Sequence, residues 1–159
     1  VNVDNAIQDV EWTTIAFFMA LFVVVGGLTE TGVIKQVAAV IIERTAGHPV
    51  MMMLILLWAS ALLSSFLNNI PFIATLIPLV LALKADGMDA EPLWWAISLG
   101  ACLGGNGTMI GASANVVLSD ISTKHGYPIT FKSYLRVGMP FMLGSVFISM
   151  VFLLVKYAI

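Results

Sequence analysis

The chain has 159 residues, of which 60% are hydrophobic and 10% charged, with a formal net charge of −2 and a mean hydropathy of +1.00. Soluble domains carry roughly 25% charged residues, so this composition excludes an ordinary water-soluble fold and predicts an all-α integral membrane protein. No basic cluster points to nucleic acid, no ten-residue alternation points to a barrel, and a single cysteine, Cys102, excludes an intrachain disulfide.

Val1–Glu11 reads as a polar, acidic loop (Asp4, Asp9, Glu11). A start at Val1 with no signal peptide predicts a cleaved, truncated or split polypeptide. Residues 12–28, WTTIAFFMALFVVVGGL, give about 25 Å of helix, a predicted crossing with Trp12 anchored at one interface. Residues 31–47 place Val33, Ile34, Val37, Ala38, Ile41 and Ile42 on one face and Lys35, Gln36 and Glu43 on the other. That pattern predicts a helix lying in the interface, stopped by Gly47 and Pro49, with His48 solvated at its end.

Residues 50–83 read as a helical hairpin. The first arm, VMMMLILLWASALLSSFL, is interrupted by Asn68-Asn69-Ile70-Pro71. The second arm, Pro71 to Leu83, is only about 20 Å long against a hydrocarbon core of about 30 Å. It predicts a re-entrant hairpin that dips to about mid-membrane and returns. Pro71 belongs in the first turn of the returning arm, and Asn68 and Asn69 are placed to cap it or to face a site. Lys84–Pro92 is a polar loop.

Residues 93–121, LWWAISLGACLGGNGTMIGASANVVLSDI, have the length of one crossing but hold Gly100, Gly104, Gly105, Gly107 and Gly111. Glycine costs roughly 1 kcal/mol in a helix interior. Broken backbone at bilayer depth survives only where protein or a water-filled cavity satisfies it. Two half-helices are predicted, Leu93–Leu103 and about Ala112–Ser122, meeting at an unwound polar joint, with Cys102 a small buried residue of the first. A loop through Lys124–Pro128 follows, then an amphipathic segment Ile129–Arg136 and a last crossing over 137–157, with Pro140 near its start. The cations fall on both sides, Lys124, Lys132 and Arg136 against Lys35, Arg44, Lys84 and Lys156, so the positive-inside bias gives no orientation.

Two interruptions lined with small polar residues carry the functional signal: Ser64, Ser65, Asn68, Asn69 and Thr75 in the hairpin, and Asn106, Thr108, Ser113 and Asn115 in the joint. A half-helix N-terminus favours an anion or an electron-rich oxygen, and unwound carbonyls suit a small cation such as Na⁺. The alternative is structural. Gly100-x-x-x-Gly104 and Gly107-x-x-x-Gly111 allow close helix packing, and buried Ser and Thr bond back to their own helices. No carboxylate falls in either interruption, Asp120 reads as a solvated helix-end acid, and His48 and His125 lie in loops. No nucleophile–base pair lies at depth, which predicts that the chain is not an enzyme.

On Trp58–Val80 (WASALLSSFLNNIPFIATLIPLV), Ser98–Val117 (SLGACLGGNGTMIGASANVV), His125–Pro140 (HGYPITFKSYLRVGMP) and Val10–Leu28, the chain resembles the ion transporter superfamily, in the arsenite permease and P-protein branch with a citrate-transporter-like domain. The resemblance covers nearly the whole chain and implies two inverted repeats, each with a re-entrant hairpin and a broken helix meeting near the midplane. Only the C-terminal repeat resembles residues 1–159, so half of the paired site is expected from a complementary N-terminal half or a homo-oligomer. The resemblance puts Asn68, Asn69, Pro71 and Thr75 at the hairpin tip and Gly105, Asn106, Gly107, Thr108, Ser113 and Asn115 at the joint. P-protein-type relatives often carry Asp at the tip where this chain has Asn68, which argues against direct proton coupling there.

The expectation is a multi-pass integral membrane protein, in the inner membrane if bacterial. It is half of a secondary transporter that moves a small anion or oxyacid, such as arsenite or a carboxylate, by alternating access. Na⁺ or H⁺ is the expected coupling ion, with Asn69, Asn106 and Asn115 as the candidate Na⁺ position and no other cofactor. A Na⁺/H⁺ antiporter and a non-transporting membrane subunit are the alternatives.

Overall fold

The computed structural model describes residues 12–33, 36, 39, 40, 43, 48–67 and 69–157. Every regular element among them is a helix: α1 Trp12–Glu30, α2 Pro49–Ser64, α3 Asn69–Ala85, α4 Ala90–Gly104, α5 Ser113–Lys124 and α6 Phe131–Tyr157. The N-terminal loop and most of the expected interfacial helix over 31–47 lie outside the described residues, as does Asn68.

Local chemistry sets the boundaries. Pro49 opens α2, where its missing N–H costs nothing, and exposed His48 stands at the N-cap. Gly87, at φ 90°, turns the chain after α3 as its N–H reaches Lys84 O at 3.0 Å. Asp89 then caps α4 by accepting from Glu91 N at 3.1 Å.

The hairpin differs from the sequence expectation. Its arms are nearly equal, 16 residues in α2 and 17 in α3, rather than one long arm and one short. The first arm stops at Ser64, not at Leu67, where Ser65, Phe66 and Leu67 bond back to Ala61 and Leu63 carbonyls at 3.0–3.1 Å. The second begins at Asn69, two residues before Pro71, and ends at Ala85, so it is about 25 Å long. Pro71 still falls in its first turn. The last helix is also longer. Residues 131–157 form one unbroken α6 of 27 residues, started by Thr130 Oγ1 accepting from Ser133 N at 3.2 Å, so Pro140 lies inside it.

α4 is the hub, packing on α2, α3 and α6, with the α2–α4 contact the most extensive. Leu57 meets Gly100 and Ala61 meets Gly104, so α2 and α4 run parallel. Asn69 approaches Gly105 while the far end of α3 turns into α4, so α3 runs antiparallel to both. Gly138 lies against Asn106 and Tyr157 bonds Glu91 at 2.7 Å, so α6 also runs antiparallel to α4. Met52, Met53, Leu56 and Leu57 of α2, Leu79, Val80 and Leu83 of α3, Leu93, Ala96 and Ile97 of α4, and Met142, Val146 and Leu153 of α6 form the core. Cys102 lies on the opposite face of α4 and is exposed, not buried. The topology brings the end of α2, the start of α3 and the end of α4 to one level.

Among the described residues one helix, α6, is long and apolar enough to cross a membrane, and α2 and Phe72–Ala85 are shorter apolar helices.

Candidate functional site

At that shared level the backbone leaves helical geometry over residues 105–112, between α4 and α5. The first part is a tight reverse turn: Asn106 N reaches Leu103 O at 3.1 Å and Gly107 N reaches Gly104 O at 2.8 Å. Ala112 is extended, at φ −144° and ψ 141°, and starts α5 without a side-chain cap. The first N–H groups of α5 therefore lack a capping side chain, the situation that makes a helix start receptive to electron-rich groups.

Side chains from the hairpin and from α5 hold this joint. Asn115 Nδ2 donates to Gly105 O at 2.9 Å and to Thr108 O at 3.1 Å. Buried Thr108 donates its hydroxyl to Ser65 O in the hairpin turn. Ser64 Oγ lies 2.7 Å from Ala101 O and also contacts the Asn69 amide. A serine hydroxyl has one proton. With that proton on Ala101 O, both contacts are satisfied if the Asn69 amide presents its NH₂ to Ser64, an orientation set by the network rather than by the heavy atoms. Gly107 and Gly111 permit the approach. A Cβ would stand 2.7 Å from Ser65 Oγ at Gly107 and 2.8 Å from Ser65 O at Gly111.

On the other side of the joint lies a cavity of about 400 Å³, lined by Asn106, Ile129, Ser133, Tyr134, Val137, Gly138 and Phe141. Gly138 lets α6 lie against the Asn106 backbone, since a Cβ there would sit 2.6 Å from Asn106 O. Asn106 is half-buried and lines this space, and its side chain has no hydrogen-bond partner among the described residues.

The residues read as a site thus divide. Asn69, Gly105, Gly107, Thr108 and Asn115 come together as the brace between hairpin and joint. Asn106 stands apart as the group that lines the cavity. Thr75 turns its hydroxyl to Phe72 O at 2.7 Å, within its own helix, and Ser113 is exposed at the start of α5. Pro71 contributes its place in α3, and Asn68 lies outside the described residues. Asp120 is exposed and pairs with Lys124 at 2.6 Å. Sequence reasoning missed Ser133, Tyr134, Gly138 and Phe141. A serine–tyrosine pair one turn before a glycine, on a helix that then carries no charge until Lys156, was the available signal.

Comparison with known proteins gives the family. Residues 1–100 match the citrate transporter family. The chain belongs to the citrate transporter family. It is 44% identical to the human P protein over 158 residues, 94% of this chain and 19% of that protein. It is 38% identical to a 46 kDa membrane protein of Mycobacterium leprae, over 96% of this chain and 36% of the relative. An uncharacterized transporter of Synechocystis is 36% identical, over 95% of this chain and 37% of the relative. The chain spans between a fifth and two-fifths of the length of these curated relatives. No solved structure matches. This citrate transporter family chain is accordingly a membrane protein of a transporter family, not of an enzyme family.

Proposed function

We propose that this member of the citrate transporter family supplies one half of the solute pathway of a multi-pass secondary transporter, with a re-entrant hairpin (α2–α3) tied to a broken membrane helix (α4–α5). The observation that carries the reading is the side-chain lock between the two interruptions: Thr108 on Ser65 O, and Asn115 on two carbonyls of the joint. A break in the backbone that is braced from both sides, next to a cavity, is the build of a transporter site.

The solute is a small anion or oxyacid, such as arsenite or a carboxylate, recognised in the cavity by the Asn106 amide and the Tyr134 hydroxyl against the apolar walls of Val137 and Phe141, while the Ser133 hydroxyl is spent on Thr130 O at 2.8 Å. Amide and hydroxyl groups donate hydrogen bonds to an oxyacid without the cost of a buried charge. Alternating access moves it, with Na⁺ or H⁺ as the coupling ion. Of the expected Na⁺ ligands, Asn69 and Asn115 lie in the brace and Asn106 at the cavity, so a Na⁺ held by the first two would compete with Asn115 for the Gly105 and Thr108 carbonyls. Asp120, exposed and paired with Lys124, gives no support to the rival Na⁺/H⁺ antiporter. The complementary half comes from another segment of the polypeptide or a second copy.

Uptake of citrate and of arsenite into proteoliposomes holding the complete transporter tests this. Asn106→Leu is expected to abolish uptake while membrane insertion and melting temperature stay at wild-type values. Undiminished uptake of both solutes in that variant would remove Asn106 and its cavity from the pathway.

A further inference from the structure

The first turns of α6 carry two adjoining clefts beside the solute cavity, which shares only Ser133 with them. One, of about 300 Å³, is lined by Thr130, Lys132, Ser133 and Arg136, and the other, of about 380 Å³, by Lys132, Leu135, Arg136, Met139 and Pro140. Lys132 and Arg136 border both, so a hydroxyl-lined notch and an apolar groove meet at the same pair of cations. These cations also differ from their neighbours: Lys124 pairs with Asp120 and Lys156 with Glu91, whereas neither Lys132 nor Arg136 has an acidic partner among the described residues.

We infer that this double cleft seats one anionic phospholipid, its phosphate between Lys132 and Arg136 and an acyl chain along Leu135, Met139 and Pro140. Position argues for a lipid over a free anion. Arg136 is the last charged residue before the apolar run of α6, which continues to Lys156, about 30 Å further along the helix. Arg136 therefore stands at headgroup level with the groove leading inward. Basic residues in such a place attract anionic headgroups by charge, and a guanidinium grips phosphate through two parallel hydrogen bonds. An apolar groove that opens from the cation pair has no use for inorganic phosphate but fits a chain attached to it.

The test is the melting temperature of the full chain in neutral detergent, with added phosphatidylglycerol, phosphatidylcholine or inorganic phosphate at equal ionic strength. Phosphatidylglycerol is expected to raise it by roughly 3–8 °C, phosphatidylcholine and phosphate by much less, and a short-chain phosphatidylglycerol by an intermediate amount. In the double variant Lys132→Gln, Arg136→Gln the difference between the two lipids should vanish. Equal shifts from both lipids, a full phosphatidylglycerol shift in the double variant, or a matching shift from inorganic phosphate would each overturn the inference. Should the double variant not fold, the lipid and phosphate comparison on the unaltered chain decides. Neither residue lines the solute cavity, so this readout is separate from solute uptake.

Discussion

Asn115 and Asn106 are both asparagines of the broken helix, yet the structure gives them different work. Asn115 spends its amide on two main-chain carbonyls, whereas Asn106, beside the cavity, has no side-chain partner among the described residues. Replacing Asn115 by Leu takes the side-chain donor from Gly105 O and leaves Thr108 O only the Gly111 N–H at 3.3 Å, at a cost of about 1–3 kcal/mol if Gly105 O stays buried. The expected outcome is a clear fall in the melting temperature of Asn115→Leu together with loss of transport, against the unchanged melting temperature of Asn106→Leu. Equal melting temperatures for the two variants would contradict this division. The sequence shows that this run is polar and interrupted, but not which asparagine braces and which is free. Helical spacing predicts neighbours only where the backbone is helical, and residues 105–112 are not. Thr108 is the same case: its partner, Ser65, is 43 residues away and no local pattern connects them.

The helices themselves are more legible, because long apolar runs bounded by Pro, Gly and Asp state their own ends. The breaks at Gly105 and Ala112 fall within a residue or two of expectation. The arms of the hairpin do not, because the folded chain re-enters helix at Asn69 directly after the turn, and composition alone does not reveal that. The small-residue spacing in α4 turns out to be a packing device. A Cβ on Gly104 would run into the Ala61 backbone, with its Cα 2.7 Å away, and one on Gly100 would lie 2.8 Å from Ser60 Cβ. Among helices in lipid, such close approach supplies the packing energy that water exclusion supplies elsewhere. Gly104→Ala is therefore expected to destabilise the protein by about 1–3 kcal/mol as α2 is pushed off α4. Gly144 of α6 has nothing within 4 Å of the same position, so Gly144→Ala should be neutral or stabilising by up to about 1 kcal/mol. Thermal melts of the two variants separate a packing glycine from an unconstrained one, and equal behaviour would deny the α2–α4 seam its role.

Across the molecule, α6 serves as a ruler for depth. Gly138, beside the joint, lies about 3 Å of helix rise inside Arg136 and about 27 Å from Lys156. At the other end Lys156 pairs with Glu91 and lies over the Trp95 ring at 5.1 Å, fixing the start of α4 to the end of α6. The free ends of the hairpin belong to that Lys156 end, because α3 turns there into α4. Its tip is therefore carried to the level of Gly138, far beyond what a second arm of about 20 Å implied and within about 3 Å of helix rise of Arg136. At that level the proposed re-entrant hairpin requires protein to shelter the tip from water, whereas two full crossings would leave it open to the headgroups. Spin labels test this by collision with oxygen, which partitions into lipid, and with a nickel complex, which stays in water. A label at Leu67, if sheltered, should meet the nickel complex less readily than one at Lys132. If the Leu67 label meets the nickel complex as readily as the Lys132 label does, the hairpin is two full crossings. The tie between Thr108 and Ser65 would then lie at a membrane surface, where water satisfies open backbone and a braced break has no need to exist.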